Sequence, residues 1–168
     1  MLTYIPLSKD NLEEAIDLVY SVFPDDANSM DDPAVAYRAS IDKEGNQDFI
    51  QRHHLETLQY FIVKNFPDEK IVGVTGWYTE ARGPKDIIWL GWYCIDPNER
   101  GKGFGKEILE WTIGKVKEMG YRVMKLYTTT DPNEAAAQIL YEKIGFKLIG
   151  EEQEEGRAYL TLFREKVL

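Results

Sequence analysis

The feature that most constrains the fold of this chain is an apolar segment that runs into a glycine-rich loop and then into an amphipathic helix. Residues 87–95 are largely apolar and aromatic, and the loop that follows has Gly101, Gly103 and Gly105 at alternate positions. Alternating glycines leave backbone N–H groups unshielded, and the start of a helix adds unpaired N–H groups and the positive end of its dipole. Three basic residues accompany the glycines, namely Arg100, Lys102 and Lys106. The segment therefore predicts a site for phosphate groups.

Two other phosphate-binding glycine motifs fit this loop less well. A P-loop requires Gly-x-x-x-x-Gly-Lys followed by Ser or Thr, whereas Lys106 is followed by Glu107. The dinucleotide fingerprint requires Gly-x-Gly-x-x-Gly, whereas this loop reads Gly-x-Gly-x-Gly. An ordinary strand-to-helix turn needs one glycine, so the repeated glycines favour a binding loop.

Length and composition indicate one globular domain over residues 1–168. Hydrophobic residues make up 43% of the chain, which is enough for a sizeable core. The formal net charge of −9 argues against a nucleic-acid partner, which needs a basic face, and weakly favours cationic substrates. The single cysteine, Cys94, excludes an internal disulfide and fits a reducing compartment. With no long apolar run and no signal peptide, we expect a cytoplasmic protein with no membrane partner.

The hydrophobic pattern predicts a mixed α/β unit. Predicted strands cover residues 2–7, 55–64, 70–80, 86–95, 122–130, 146–150 and 157–167. Predicted helices lie between Ser8 and Pro24, over 34–41, from the glycine loop to Gly120, and from Asp131 to Gly145. The last helix starts with Asp131 as cap and Glu134 three residues later, the spacing of a capping box.

A second motif lies about 35 residues beyond the glycine loop, where the predicted helix ends in Leu140-Tyr141-Glu-Lys-Ile-Gly145-Phe146 before a strand. The two motifs, in this order and spacing, resemble the GCN5-related N-acetyltransferase (GNAT) family. The acetyl-CoA signature of that family is Arg or Gln, two residues, Gly, one residue, and Gly or Ala, which Arg100, Gly103 and Gly105 match. The resemblance implies a central, mostly antiparallel sheet flanked by helices, with one parallel strand pair splayed apart where acetyl-CoA enters.

The resemblance also implies roles for individual residues. Tyr141 matches the tyrosine that protonates the departing CoA thiolate, and backbone N–H groups around Cys94 and Ile95 would polarise the thioester carbonyl. Family members often have Asn seven residues before this tyrosine, but here that position is Glu134, so the contact to the pantetheine arm is assigned to Asn133. The diphosphate of coenzyme A would lie against Arg100, Gly101, Lys102, Gly103, Phe104, Gly105 and Lys106.

The base that accepts a proton from the amine is not evident from the sequence. Many relatives have a carboxylate on the strand before the glycine loop, but residues 90–94 contain none. Glu80, at the end of the preceding predicted strand, is the catalytic candidate, with Tyr93 or a water relay as alternatives. A lone cysteine in an apolar strand indicates a small buried side chain, not a nucleophile. One cysteine and two histidines provide no zinc-binding set, so no metal is expected.

These observations favour an enzyme that transfers an acetyl group directly from acetyl-CoA to an amine in a ternary complex. The acceptor would be a small molecule, an amino acid or a peptide, and the sequence does not choose among them. One alternative is a catalytically silent module that binds or senses acyl-CoA, and another is a nucleotide binder that uses the same loop. Relatives often dimerise, so a homodimer is compatible with the resemblance.

Overall fold

The computed structural model, which describes residues 1–168, is organised around one eight-stranded sheet. The strands are β1 (Leu2–Pro6), β2 (Leu55–Asn65), β3 (Lys70–Glu80), β4 (Ile87–Leu90), β5 (Cys94–Ile95), β6 (Val123–Thr129), β7 (Lys147–Glu152) and β8 (Thr161–Val167). The helices are α1 (Leu12–Val22), α2 (Pro33–Ile41), α3 (Gln47–Arg52), α4 (Phe104–Glu118) and α5 (Ala135–Ile144). None of these helices has the length and apolar character needed to span a bilayer.

The order of strands across the sheet is β1-β2-β3-β4-β6-β8-β7, with β5 paired to β3. Every pairing is antiparallel except that of β4 with β6, which is parallel and extends only from Ile87↔Val123 to Trp89↔Lys125. Beyond Trp89 the two strands separate, because β5 continues along β3 while β6 continues along β8. The predicted fold, with its splayed parallel pair, is confirmed.

The predicted strand over residues 86–95 is interrupted, and this corrects the sequence interpretation. Gly91 still donates to the Gly76 carbonyl of β3 at 2.9 Å, but Trp92 and Tyr93 leave the ladder between β4 and β5. The hydroxyl of Tyr60 on β2 accepts a hydrogen bond from the Trp92 N–H at 3.2 Å, and a Cβ on Gly91 would lie 2.6 Å from that hydroxyl oxygen. Glycine is therefore required at position 91, because any larger residue would collide with the tyrosine that holds the distortion.

Helices cover both faces of the sheet, because side chains alternate between faces along each strand. On one face, α1 and α2 bury Ile16, Val19 and Tyr37 against Tyr60 and Ile62 of β2. The other face packs against α4 and α5, where the buried side chains are Trp77, Ile88, Leu90, Leu109, Val116, Met124, Leu126, Tyr141 and Phe146. Full burial of each large aliphatic side chain contributes about 1.5–3 kcal/mol to folding stability. Both helical layers therefore stabilise the sheet, including the strands that separate beyond Trp89.

Three local predictions need correction. Helix α1 begins at Leu12, because Asn11 accepts a hydrogen bond from the Ser8 N–H and keeps the intervening residues in a turn. Helix α3 lies in a segment that the sequence pattern left unassigned. The predicted capping box is not formed. Asp131 accepts a hydrogen bond from the Asn133 N–H, but the Glu134 carboxylate accepts from Thr129 and not from the backbone N–H of Asp131.

Candidate active site

A single large cavity of about 1330 Å³ opens where β5 and β6 separate. One end is formed by β5, the glycine loop and the start of α5. The other end is formed by the loops that follow α1 and β7 and by the ends of β2 and β3. The predicted site residues that line this cavity are Glu80, Cys94, Ile95, Arg100, Gly101, Phe104, Gly105, Asn133 and Tyr141. Lys102, Gly103 and Lys106 belong to the same loop and first helical turn without lining the cavity.

The glycine loop presents a row of unpaired backbone N–H groups. None of the N–H groups of residues 100–106 donates to a protein acceptor. Gly101 has φ 77° and Gly103, which precedes α4, has φ 88°, a left-handed region that side chains disfavour. A Cβ at either glycine would meet no atom within 4 Å, so the space over these amides is open. Open space, unpaired N–H groups and a helix start together form a cradle for an anion.

The cations around the loop differ in availability. Lys102 donates to Glu99 at 2.8 Å and Lys70 donates to the same carboxylate at 2.5 Å, and these two bonds lower the pKa of Glu99. Lys106 lies 3.7 Å from Glu110 on the surface. Arg100 is exposed and has no ion pair. Its guanidinium is therefore the uncompensated positive charge at this end of the cavity.

The interrupted strand supplies one backbone donor, the Ile95 N–H, to the gap between β5 and β6. Asp96 N–H donates to Val72 on β3, and N–H groups alternate in direction along a strand. The Cys94 N–H therefore also points to β3, whereas the N–H group of Ile95 points towards the gap. Of the two amides predicted to polarise a carbonyl, only that of Ile95 faces the cavity. Burial raises the pKa of the Cys94 thiol to about 12, which keeps it protonated and unsuited to nucleophilic attack.

Tyr141 lies on the wall of the cavity with its hydroxyl group uncommitted. The residue is 5% exposed, its ring packs against Phe146, and its hydroxyl makes no hydrogen bond within the protein. Burial is the main cause that raises the pKa of this phenol, so the hydroxyl stays protonated at neutral pH. A buried tyrosine that is only structural normally has a hydrogen-bonded hydroxyl, so this free donor is suited to a ligand.

Asn133 and Glu134 form the edge of the cavity at the start of α5. Asn133 lines the cavity next to Asp131, which caps its backbone N–H at 2.8 Å. Glu134 lines the cavity as well, and its carboxylate accepts from the backbone N–H and hydroxyl of Thr129. Burial raises the pKa of Glu134. A negative group thus occupies the position where family members often have an amide side chain.

The two side-chain candidates for the base are poorly placed for direct contact with the gap. Glu80 lies six residues along β3 from Val74, the partner of Cys94, which is about 20 Å at 3.3 Å per residue. Its carboxylate is half-buried and has no ion pair. The Tyr93 hydroxyl donates to the Gly105 carbonyl at 2.7 Å, and burial raises its pKa well above the ordinary value. The Tyr93 hydroxyl is therefore protonated and already hydrogen-bonded, so it is not free to accept a proton.

The other end of the cavity is acidic and aromatic. Asp25, Asp26 and Asp31 come from the loop after α1. Arg157, from the loop between β7 and β8, lies 3.5 Å from Asp31 and links the two loops. Burial and the neighbouring Asp31 raise the pKa of Asp26. The aromatic side chains at this end are Phe23, Phe49, Tyr78, Trp92, Tyr127 and Tyr159.

Comparison with known proteins identifies the family of this chain. The profile of the Acetyltransferase (GNAT) family matches residues 27–146, well over half of the chain. The chain therefore belongs to the GNAT acetyltransferase family, which confirms the resemblance identified from the two sequence motifs.

Individual relatives match over shorter segments. The spermine/spermidine N(1)-acetyltransferase of Bacillus subtilis (strain 168) is 34% identical over 64 residues, covering 38% of this chain and 41% of the relative. The S-(2-succino)cysteine N-acetyltransferase of the same strain is 26% identical over 86 residues, covering 51% and 52%. The aligned region thus spans about half or less of the curated relatives. A solved GNAT-family structure from Desulfovibrio desulfuricans superposes with a TM-score of 0.72 at 13% identity, covering 99% of both chains, and supports the fold.

Proposed function

We propose that residues 1–168 form one N-acetyltransferase domain that transfers an acetyl group from acetyl-CoA to the amine of a small cationic molecule. The observation that carries this proposal is the row of unpaired N–H groups over residues 100–106, which opens into the same cavity as the free Tyr141 hydroxyl. Family membership and the N-acetyltransferase names of both curated relatives support the reaction class.

The residues at the glycine loop fit the diphosphate of coenzyme A. The space over Gly101 and Gly103 is open, and substitution at either glycine would strain the left-handed backbone. The Gly105 N–H is also unpaired, but Tyr93, Ile95 and Leu140 lie close to that glycine. Arg100 adds the free positive charge, while the charge of Lys102 is compensated by its pair with Glu99. The pantetheine arm would then run between β5 and the start of α5, past Asn133. Acetyl-CoA held in this way supplies the acetyl thioester.

Two groups of the chain can act on the transfer itself. The N–H group of Ile95 points into the gap and can donate a hydrogen bond to a carbonyl oxygen that becomes negative. The Tyr141 hydroxyl can donate its proton to the sulfur when the carbon–sulfur bond breaks. The amine nitrogen forms the new bond to carbon and loses a proton in the same reaction. No covalent bond to the protein is needed.

A water relay is the best route for the proton that leaves the amine. Tyr93 cannot accept it, since its hydroxyl is protonated and bonded to the Gly105 carbonyl. Glu80 lies about 20 Å along β3 from the level of Cys94, too far for direct contact, but its unpaired carboxylate can receive a proton through waters in the cavity. We assign Glu80 this terminal role.

The acidic end of the cavity supports a cationic acceptor. Asp25, Asp26 and Asp31 place negative charge at the end opposite Arg100, and aromatic faces nearby attract alkylammonium groups. The match to a spermine/spermidine acetyltransferase is consistent with a diamine or polyamine, whose second nitrogen would contact these carboxylates. The match to a succinocysteine acetyltransferase supports an amino-acid acceptor instead.

An acceptor screen tests this function. Release of free CoA thiol should be followed with acetyl-CoA and a panel of diamines, polyamines, amino acids and peptides. We expect turnover with one or more cationic amines and an increase of several degrees in the melting temperature with acetyl-CoA. Stabilisation by acetyl-CoA without transfer to any amine would favour the acyl-CoA-sensing module. Stabilisation by ATP in competition with CoA would favour the nucleotide binder.

A further inference from the structure

Arg164 on β8 is a buried positive charge next to the candidate active site that no step of the proposed reaction uses. It is only 3% exposed, although it sits near the edge of the sheet between Leu126 of β6 and Leu148 of β7. A buried guanidinium is costly unless hydrogen bonds compensate it, and arginine is rarely buried without a specific reason.

The guanidinium lies between β6 and α5. Its Nη1 donates to the Thr128 hydroxyl at 3.2 Å. Its Nη2 donates to the Gln138 side-chain oxygen at 3.4 Å and to the Glu142 carboxylate at 3.2 Å. Its Nε has no partner at all. Because Glu142 is 63% exposed, that carboxylate is well hydrated and compensates the buried charge only in part.

These contacts place the positive charge within one helical turn of Tyr141. Gln138 and Glu142 are four residues apart and share a face of α5, and Tyr141 is three residues after Gln138. Thr128 and Tyr141 both line the cavity. Three groups influence the pKa of the phenol besides its burial: Glu134 and Cys94 raise it and Arg164 lowers it.

We propose that Arg164 is a positioning residue that fixes the turn of α5 bearing Tyr141 and supplies positive charge to the wall where sulfur departs. This inference rests on the proposed acetyl transfer. When the carbon–sulfur bond breaks, sulfur keeps the electron pair and takes the proton from the Tyr141 oxygen. The phenolate that remains is then reprotonated from water. A fixed positive charge nearby stabilises the negative charge first on sulfur and then on the phenolate.

A purely structural role for Arg164 would be to tie α5 to β8, and Lys166 provides the comparison. Lys166 follows two residues later on the same strand, and its ammonium donates to the Ile144 carbonyl at the end of α5 at 2.9 Å. It therefore ties the same helix to the same strand. Lys166 is not among the groups that influence the pKa of Tyr141. Lys166→Met is thus a matched control.

The first test is a double-mutant cycle on the acetyl transfer. Arg164→Met and Lys166→Met are each placed in the wild-type and Tyr141→Phe backgrounds, and kcat and the Kd for acetyl-CoA are measured. We expect Arg164→Met to lower kcat about tenfold in wild type and about threefold in Tyr141→Phe, where only the stabilisation of charge on sulfur remains. The Kd should be unchanged. The losses differ because residues that act through one proton transfer are not additive. Lys166→Met should have small and equal effects in both backgrounds.

The second test does not depend on activity. The Kd values of CoA and S-methyl-CoA are compared by calorimetry between pH 7 and pH 9, across the thiol pKa of about 8.5. In wild type and in Lys166→Met, CoA should bind more tightly relative to S-methyl-CoA as the thiol ionises. In Arg164→Met this gain should be lost, because the cation that favours the bound thiolate is absent.

Equal fold losses of kcat in both backgrounds, or an unchanged pH-dependent gain in Arg164→Met, would overturn the proposal. Full turnover of Tyr141→Phe would instead refute the proton donor in the proposed function, and the thiolate test would still decide on Arg164. If Arg164→Met does not fold, Arg164→Gln replaces it, because it removes the charge but keeps N–H donors for Thr128 and Glu142. Equal losses of kcat in both backgrounds, or an unchanged pH-dependent gain, would overturn the proposal for Arg164→Gln as well.

Discussion

The two ends of the cavity are built from different kinds of structure. The proposed cofactor end comes mostly from one continuous segment, in which β5, the glycine loop and α4 follow each other directly, and backbone N–H groups form its main surface. Only the start of α5 is added from later in the chain. The acceptor end comes from segments far apart in the chain, and side chains form its surface. A contact made by the backbone tolerates changes in neighbouring side chains, whereas a contact made by side chains changes with every substitution. We therefore expect the first end to define the family and the second to define the substrate.

The largest expected effect is at the cofactor end. Gly103→Val places a β-branched residue at φ 88° and puts a side chain into the open space over the unpaired amides. A ligand at 100 times its Kd stabilises the folded protein by about 2.7 kcal/mol. The increase in melting temperature that acetyl-CoA causes in this way should disappear in Gly103→Val. Thermal unfolding with and without acetyl-CoA measures this.

Gly114→Ala is the control for that variant. Gly114 lies inside α4, has open space around a Cβ, and has ordinary helical geometry. Alanine there should raise the melting temperature slightly and leave the acetyl-CoA effect intact. If Gly103→Val still responds to acetyl-CoA as wild type does, the glycine loop is not the binding site.

The second effect concerns chemistry at the boundary between the two ends. Tyr141→Phe removes only the hydroxyl that lacks a protein partner, so the fold should be unaffected. We expect kcat to fall about 100-fold, the lower range for loss of a general acid, with the Kd for acetyl-CoA within twofold of wild type. Steady-state kinetics and calorimetry measure the two quantities. Equal losses in both would mean that Tyr141 is a binding residue.

The third effect separates the acceptor end from the cofactor end. Asp26→Asn should raise KM for a cationic diamine about fivefold while leaving acetyl-CoA binding unchanged, because one partly exposed charge contributes about 1 kcal/mol. Asp17→Asn, on the exposed face of α1, is the control and should change neither quantity. A rise in KM for acetyl-CoA with Asp26→Asn would contradict the division of the cavity.

The same carboxylate gives a pH dependence with a definite sign. Folding raises the pKa of Asp26 above 3.8, so the ionised form opposes folding at neutral pH. This penalty is absent below 3.8, where Asp26 is protonated in both states, and appears as pH rises through the raised value. Asp26→Asn should therefore raise the melting temperature at pH 7 and have no effect at pH 3. Thermal melts at the two pH values test this.

The smallest effect concerns the link between Asp31 and Arg157. Arg157→Ala removes an ion pair of 3.5 Å between two half-exposed groups and frees Asp31 for a cationic acceptor. We expect KM for a diamine to fall up to about threefold, since exposed ion pairs contribute 0–1 kcal/mol. Lys85→Ala breaks a comparable exposed pair with Glu56 away from the cavity and should leave KM unchanged. An increase in KM with Arg157→Ala would mean that the loops must be linked for the acceptor to bind.

Sequence reasoning was most successful where function depends on neighbouring residues. The glycine loop, helix α4 and the Tyr141 motif are each contained in a short segment whose pattern has a local physical cause. The break at Gly91 was missed because its cause is Tyr60, some thirty positions earlier in the chain. A glycine inside an apolar strand was nevertheless a usable signal for a distortion of the ladder.

The acceptor end could not be predicted in the same way. Asp31 and Arg157 are 126 positions apart, and nothing in either segment indicates that they meet. The burial of Arg164 was equally hidden, because an arginine in an alternating strand next to acidic residues is usually a surface group. The sequence predicted that Glu134 takes part in a capping box at the start of the last helix. In the structure its carboxylate accepts a hydrogen bond from the Thr129 hydroxyl instead, because the chain turns back directly after β6.

By itself, the sequence determined the family, the order of most strands and helices, and the segment whose backbone N–H groups are left unpaired. These properties follow from periodicity and from glycine conformations, which act over a few residues. Only the tertiary structure decided which amides of the interrupted strand face the gap, which charges line the far end, and that an arginine is buried beside Tyr141. Those properties depend on which distant segments of the chain line the cavity together. Tertiary packing, and not the neighbouring residues in the sequence, decides which groups are buried and which charges pair.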